Sequence, residues 1–558
     1  MRNKVLYLLL ITVFLAAHDC AFAQNPVPDA GLVEQSTPKA GEFNNDTTIQ
    51  PDADTSKVDT EDIDQQNEVQ SQNEASSTTV LIKSFDVNPS EIIPKEEIDA
   101  ILSPYLGQNV TINDLKNAVN EINKIYVKKG YITARAFLPP QTVKSGIIQI
   151  KLVEGHVGDV YVEGNRWTKR NYILGKIHQK PGELFSLQDL EKDILKFNRN
   201  NQVTLRANLK PGKDFGTTDI NLVANDPNVW HVTPTFDNTG RRTVGVLRGG
   251  VAFSSDSLFG YRDQFVMGYS RAKSTDVAYS SYSIPVGNYG TRIGGTFAFS
   301  NIKITSGPFK DFNIEGNSYN YGGYVSHPFI DTRRFSLEGD AGINFRQVTT
   351  FFDEVPLFTT QIRSLTLGLT FQERDKWGRT VVRNSITNGL DLLGGNARFF
   401  KYNGSLTRIH SFGHGLLGIF RAACQLTDDR LPPVEQFQIG GSSTVRGYSE
   451  GLLIGDNGYF FSGELRFPLP FLPKKIGKLT VRDRIRGLVF VDHGGAFVDD
   501  GNTTTPHHTD FLTSVGLGLR GSITKYISGR ADWGFAIGRR EDPQPTARFH
   551  FGLQANPI

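Results

Sequence analysis

Cysteine and methionine are almost missing: two of each in 558 residues. Cys20 falls in the N-terminal apolar segment, which leaves Cys424 as the one cysteine of a mature chain. An intramolecular disulfide is thereby excluded, and so is a CxxC or Cys-rich metal site. Long apolar runs are equally scarce. The only one approaching membrane length lies at the extreme N-terminus. A polytopic helical membrane protein needs about 20 apolar residues per span and is excluded. A closed β-barrel is not, because alternating strands leave hydropathy averages unremarkable. Excess charge is small, +2 overall, and the basic residues are scattered with no basic motif or base-stacking platform. Nucleic acid is not expected as a partner. Glycine and aromatics, by contrast, are plentiful: 56 Gly, 38 Phe and 18 Tyr. Without a helix-favouring bias, that surplus points to β structure. At 38% hydrophobic and 21% charged residues, the chain has enough apolar surface for a folded core. Length alone suggests three or four domains, or fewer if one is a large barrel.

The N-terminal run has its own explanation. Arg2 and Lys4 precede Val5–Ala17, and Ala21-Phe22-Ala23 follows. A charged start, a short apolar stretch and a small-x-small site make residues 1–23 a signal peptide, cleaved before Gln24. Residues 24–79 then carry 12 Asp/Glu against 2 Lys, with Phe43 the only aromatic. Such a segment buries too little apolar surface to offset ordering entropy, so an acidic disordered arm or linker is expected. A short helix around Val58–Glu74 would have a poor apolar stripe. The remainder, 80–558, is basic, with 56 Lys+Arg against 45 Asp+Glu.

Residues 80–154 read as a small α+β unit. Val80–Val87 is strand-like and Lys95–Leu102 a short helix. Thr111 and Asp114 form a capping-box start. Leu115, Ala118, Val119, Ile122, Ile125 and Tyr126 repeat at helical spacing until Gly130. Strands follow at Ala134–Leu138 and Ile147–Val153. Residues 155–226 repeat the plan: a strand through Val160 and Val162, a helix near Thr168–Ile177, and a second helix capped by Ser186 and Asp189. Strands near Val203–Lys210 and Thr218–Val223 close it. Two β-α-α-β-β units of about 70 residues in succession indicate an internal repeat.

From 228 to 558 helical periodicity vanishes. Leu365, Leu367, Leu369 and Phe371 alternate with Thr366, Gly368 and Thr370. Ile527, Gly529, Ala531, Trp533, Phe535 and Ile537 oppose Ser528, Arg530, Asp532 and Gly534. A soluble sandwich and a membrane barrel both fit such alternation. Three features favour the barrel: 331 residues without interruption by another fold, the export signal, and aromatics at strand ends. At roughly 20 residues per strand and connection, the segment holds about 16 transmembrane β-strands.

Enzyme signatures are weak. Gly413–Gly418 and Gly516–Gly521 match G-x-G-x-x-G, but in alternating strands rather than at a helix start, so no cofactor is expected. Glycine there makes room for close packing or for the lumen. His507-His508 lie in a Thr-rich turn, which reads as solvated loop rather than metal site. No carboxylate pair is singled out for catalysis. The informative stretch is Gly440-Gly441-Ser442-Ser443-Thr444-Val445-Arg446-Gly447-Tyr448, followed downstream by Phe490-Val491-Asp492-His493-Gly494. Alternation turns Val489 and Val491 to lipid and Phe490, Asp492 and Gly494 to the lumen. Asp492 is then placed to hold an inserted guanidinium, with Tyr448 against Phe490. An Arg446 in a solvated external loop fits physics equally well.

The Gly-Gly…Val-Arg-Gly-Tyr stretch with Phe-x-Asp-x-Gly resembles the paired signature of two-partner secretion transporters. These TpsB-type proteins of the hemolysin activator/secretion family belong to the POTRA-plus-barrel outer-membrane superfamily. The resemblance covers 80–558: POTRA domains at 80–154 and 155–226, then a 16-stranded transmembrane β-barrel at 228–558. It implies that the Arg446 loop folds back into the barrel to meet Asp492, with Gly447 and Tyr448 shaping its tip. It also implies an outer-membrane location with periplasmic POTRA domains, and contact with outer-membrane lipid. An unfolded secreted protein would be the partner, and the barrel-assembly machinery would act during biogenesis. No cofactor, metal or catalytic residue is implied. Two departures stand out. The family often ends on an aromatic residue, whereas this chain runs past Phe551 to Ile558. The family often has an N-terminal plug helix, to which the composition of 24–79 does not commit. A barrel-insertase-like assembly factor is the alternative reading, and a passive porin, which needs no POTRA-like units, the more distant one.

Overall fold

The structure, a computed structural model, describes Val58–Asp59 and residues 79–555. Excepted are 142, 144, 308–309, 474, 477–478, 481–483, 499–509, 523–525 and 538–545. The expected signal peptide, most of the acidic arm, His507-His508 and the chain end lie outside the described residues. Two units are described separately, divided near residue 228.

In the N-terminal unit, β1 (Val58–Asp59) precedes β2 (Thr79–Leu81), β3 (Ser84–Val87), α1 (Lys95–Leu102) and β4 (Asn109–Thr111). Then come α2 (Ile112–Lys128), β5 (Arg135–Phe137) and β6 (Ile147–Val153). The strand read over Val80–Val87 is two strands: β2 pairs with β4, and β3 with β6. α2 begins with a capping box: Asp114 N donates to Thr111 Oγ1 at 3.3 Å, and Thr111 N donates to Asp114 Oδ2 at 2.8 Å. Its buried stripe is Leu115, Ala118, Val119, Ile122 and Tyr126. It ends where Gly130 takes φ +89°, a conformation costly to residues with a Cβ.

The second set runs β7 (His156–Glu163), α3 (Arg170–Leu174), α4 (Leu187–Asn200), β8 (Thr204–Pro211) and β9 (Thr217–Asn225). α3 is shorter than the expected span. Ser186 Oγ accepts from Asp189 N at 3.3 Å and caps α4. The two sheets share one topology. In β3-β6-β5 the central strand β6 runs parallel to β3 and antiparallel to β5. In β7-β9-β8 the central strand β9 likewise runs parallel to β7 and antiparallel to β8. Each half has its own apolar core. β1 extends the second sheet, pairing in parallel with β8 through Val58↔Ala207 and Asp59↔Asn208. Val58 therefore belongs to a strand rather than opening a helix.

The barrel unit closes sixteen strands in meander order. The first eleven are β10 (Trp230–Asp237), β11 (Arg248–Ser255), β12 (Gln264–Ala272), β13 (Thr275–Val286), β14 (Thr291–Lys303), β15 (Ile314–Asp331), β16 (Phe335–Phe352), β17 (Val355–Asp375), β18 (Gly378–Gly389), β19 (Phe399–Gly413) and β20 (Leu416–Leu426). A long loop follows, holding the small hairpin of β21 (Phe437–Ile439) and β22 (Leu453–Gly455). The wall resumes at β23 (Asn457–Pro468); after the short pair β24 (Lys475–Ile476) and β25 (Leu479–Thr480) it continues through β26 (Ile485–Phe497), β27 (Asp510–Ser522), β28 (Ile527–Ile537) and β29 (Ala547–Ala555).

Alternation sets which residues face out. Leu365, Leu367 and Leu369 on β17 are exposed, as are Trp533, Phe535 and Ile537 on β28. Asp492, Ser514 and Asp532, facing the other way, are buried. An apolar outer band with buried charges inside is the arrangement of a membrane barrel and inverts that of a soluble sandwich. Among the described residues no helix is long and apolar enough to cross a membrane. The ring closes where β10 meets β29 over three pairs, Thr235↔Gln554 to Asp237↔Gly552, against eight between β10 and β11. Of the two G-x-G-x-x-G matches, Gly413–Gly418 straddles the β19–β20 turn and Gly516–Gly521 lies within β27, so neither opens a helix.

Candidate functional site

The loop from 427 to 456 folds back into the barrel. Its hairpin ends at Gly440 and Gly441, with φ +100° and +101°. Both positions are tight as well as left-handed: a Cβ on Gly440 would stand 2.6 Å from Ser449 O, and one on Gly441 would meet the Glu450 carboxylate. Gly441 N donates to Val445 O at 3.1 Å and Gly440 N to Thr444 Oγ1 at 2.9 Å, which winds the tip into a compact knot. Val445 and Tyr448 pack with Ile439, Leu453, Ala496 and Leu512. This apolar side anchors the tip and leaves Arg446 pointing at the wall.

Arg446 is 1% exposed and Asp492 0%. Nε donates to Asp492 Oδ2 at 2.8 Å and Nη2 to Oδ1 at 3.0 Å, a bidentate pair, while the Arg446 backbone N reaches Oδ2 at 3.1 Å. Nη1 donates to Glu464 Oε2 at 2.6 Å and lies 3.5 Å from Asp532 Oδ1. Nη2 reaches Ser462 Oγ at 3.4 Å. The guanidinium carbon sits 3.5 Å from the centre of the Phe490 ring. Strand register explains the convergence. Ser462 pairs with Asp492, and Asp492 with Ser514; one step along, Glu464 pairs with Phe490, and Phe490 with Gly516. All face the lumen.

The cluster extends by two further arginines. Arg466 Nε donates to Glu464 Oε1 at 2.5 Å, and Arg520 grips Asp532 with both Nη atoms at 2.8 and 2.9 Å. Three guanidinium groups thus face three carboxylates. Such balance matters, because an unpaired buried charge costs several kcal/mol. Gly447 N lies 3.4 Å from His550 Nε2. The cation over the Phe490 ring is Arg446. Tyr448 donates to Thr513 O at 3.0 Å and contacts Ile537 O at 3.3 Å, spanning the ends of β27 and β28. Gly494 is set by wall packing; a Cβ there would stand 2.6 Å from Tyr459 O.

The other end of the loop has its own anchor, which motif reading missed. Glu435 Oε1 lies 3.2 Å from Arg346 Nη1 on β16, and Oε2 lies 2.6 Å from Lys401 Nζ on β19. Lys401 Nζ and Gln425 Nε2 also donate to Glu435 O at 2.9 and 3.0 Å. Val434 and Leu431 pack there on Val348, Ile362 and Phe399. The loop is therefore held at two walls, Glu435 on β16–β20 and Arg446 on β23–β28. Alternation did signal Asp532 as a lumenal charge; nothing local in sequence pairs Glu435 with residues 346 and 401.

Comparison with known proteins decides the family. The model for "Haemolysin secretion/activation protein ShlB/FhaC/HecB" matches residues 216–521, and "POTRA domain, ShlB-type" matches 80–155. The chain belongs to the ShlB/FhaC/HecB family. It is an outer-membrane transporter of the two-partner secretion class, with its POTRA region in the periplasm. Family members are transporters, not enzymes. The heme/hemopexin transporter protein HuxB of Haemophilus influenzae is 26% identical over 475 residues, covering 78% of this chain and 80% of its own. The hemolysin transporter protein ShlB of Serratia marcescens is 25% identical, covering 65% and 68%. Among solved structures, CdiB from Escherichia coli aligns with a TM-score of 0.61 at 20% identity, over 92% of this chain and 94% of that one. BamA from Haemophilus ducreyi, at 0.55 and 14% identity over 86% and 100%, shares the fold.

Proposed function

We propose that residues 80–154 and 155–226 act as two POTRA domains that capture an unfolded exported protein in the periplasm. The protein then threads through the barrel to the cell surface once the 427–456 loop moves aside. The observation that carries this reading is the charge-balanced seat of Arg446 inside the lumen. A loop held on wall carboxylates occupies the path and can be released, whereas a passive porin has no use for it. Capture by strand addition draws on the sheet edges. The edge of β8 already accepts a strand, β1. β5, β3 and β7 bound their sheets in the same way. No nucleotide is needed: folding outside the pore biases transit. Outer-membrane lipid meets the exposed Leu and Phe band, and the barrel-assembly machinery inserts the chain during biogenesis. The insertase alternative has only the shared fold in its support.

The test is binding of an exported partner protein, sought first among neighbouring coding sequences. The full chain should retain it and a chain lacking 80–154 should not. Equal binding by both would overturn the capture step.

A further inference from the structure

Beneath the Arg446 cluster, toward the end where the chain enters β10, the lumen holds a cavity of about 260 Å³. Six arginines line it: Arg421, Arg466, Arg484, Arg486, Arg520 and Arg530. They come from five neighbouring parts of the wall, β20, β23, the start of β26, β27 and β28. One lining carboxylate, Glu464, stands against them, and adjacent Asp532 is already gripped by Arg520. Arg466 and Arg520 are already balanced by Glu464 and Asp532 in the cluster above, and Arg530 feels the Asp237 and Glu450 carboxylates, so the excess positive charge here comes from Arg421, Arg484 and Arg486. Ser442 of the loop also lines the cavity, so an occupant there touches the loop itself. Glu464 links the two levels, since it accepts from Arg446 at 2.6 Å and from Arg466 at 2.5 Å.

Clustered guanidinium groups between low-dielectric walls focus a positive field and concentrate anions. Their planar donor forks match carboxylates two bonds at a time. The excess has no counterpart in folding, because wall strands need no net lumenal charge. We propose that this cavity is a binding site for carboxylate-rich polypeptide, so that an Asp/Glu-rich stretch of the secreted chain docks here on entry. Carboxylates of that stretch then compete with Glu464 for Arg466 and Arg520, which loosens the support of Arg446 from below. The inference rests on the transporter reading and deepens it by giving the entering segment a charge sign.

The test uses the full chain in detergent micelles and labelled twelve-residue peptides, read by fluorescence anisotropy. One peptide alternates Glu and Ser, one Gln and Ser, one Lys and Ser. The Glu peptide should bind at least tenfold tighter than the other two and lose at least tenfold in 0.5 M NaCl. Arg484→Glu with Arg486→Glu should weaken it at least tenfold, while Arg484→Lys with Arg486→Lys, which keeps the charge but loses the forks, should weaken it by less than the Glu pair. Heat-dependent gel migration confirms that each variant is a folded barrel. Arg206→Glu, on the exposed face of β8, is the control and should change nothing. Equal binding of the Glu and Gln peptides overturns the proposal, as does an equal loss in Arg206→Glu. Displacement by inorganic phosphate at matched charge would mark a small-anion site and overturn it too. A cavity already filled by the chain's own acidic arm would abolish binding, and the proposal would fail with it. No secreted partner enters this assay, so its failure leaves the transporter reading standing. Failed secretion with intact peptide binding would sink that reading instead.

Discussion

Gly447 at the loop tip and Gly534 on β28 meet backbone to backbone. A Cβ on Gly534 would stand 2.5 Å from Gly447 N and 2.8 Å from the Arg446 carbonyl carbon. Gly447 itself holds φ +94°, so it is fixed both by conformation and by contact. The wall offers the tip a bare strip of backbone, and a side chain there takes the tip's place. Gly534→Leu should therefore leave barrel assembly intact and dislodge the loop. Single-channel conductance in planar bilayers should rise relative to the unsubstituted chain; an unchanged conductance would show that the tip tolerates displacement without opening the path.

The Arg446–Asp492 pair makes a different prediction. Removing one partner of a buried pair typically costs about 3–5 kcal/mol, because the other charge stays behind. Here Glu464 and Ser462 remain as partners for Arg446, so Asp492→Ala should be milder for the fold than Arg446→Ala, which strands Asp492 while Glu464 keeps Arg466. Both should cut export of the partner protein while the barrel still shifts on heating in gels. Normal export by both variants would remove the pair from the transport cycle.

Much of this site is legible in the chain because strands carry a period of two. Once Val489 and Val491 face lipid, Asp492 must face the lumen, and the same step places Glu464 and Asp532. Helices α2 and α4 are equally readable from spacing and caps, since those signals are local. What fails is whatever depends on a contact far along the chain. That Arg446 stacks on Phe490, and that the Tyr448 hydroxyl meets two backbone carbonyls, is not readable from the motif. Val80–Val87 has strand character throughout, but Ile82 and Lys83 turn to bond Gln108 O and Gly146 O, dividing it between two partners.

In the N-terminal unit, Tyr126 is wholly buried and donates its hydroxyl to Glu154 Oε1 at 2.9 Å. Glu154 Oε2 also accepts from Glu91 N at 2.8 Å, tying α2, the segment before α1 and the end of β6 together. Burial raises the Tyr126 hydroxyl well above its usual range. The folded state therefore disfavours the phenolate. Stability from this group is fully present below the unfolded value of about 10 and falls as pH rises above it. Tyr126→Phe should lose about 1 kcal/mol at neutral pH and also lose that alkaline dependence. Hydrogen exchange of α2 amides in the full chain, followed from pH 7 to 11 after correction for intrinsic rates, reads both effects. A variant with the same alkaline slope as the parent would assign it to another group.

Glu435 gives the last prediction, because it separates the loop's two anchors. Its carboxylate is the shared counter-charge of Arg346 and Lys401, each about a tenth exposed. Glu435→Gln keeps the size and some hydrogen bonding but leaves two cations facing each other at the wall. Since Val434 and Leu431 still pack on Phe399, the loop base should loosen without leaving. Arg446 would then remain seated, and Glu435→Gln alone should change conductance little. Combined with Arg446→Ala, both anchors are gone, and conductance should exceed that of Arg446→Ala alone. Paired recordings of the two single variants and the double variant measure this coupling. If the double variant conducts no more than Arg446→Ala, the base is held by its apolar contacts, and the charged anchor plays no part in keeping the loop inside.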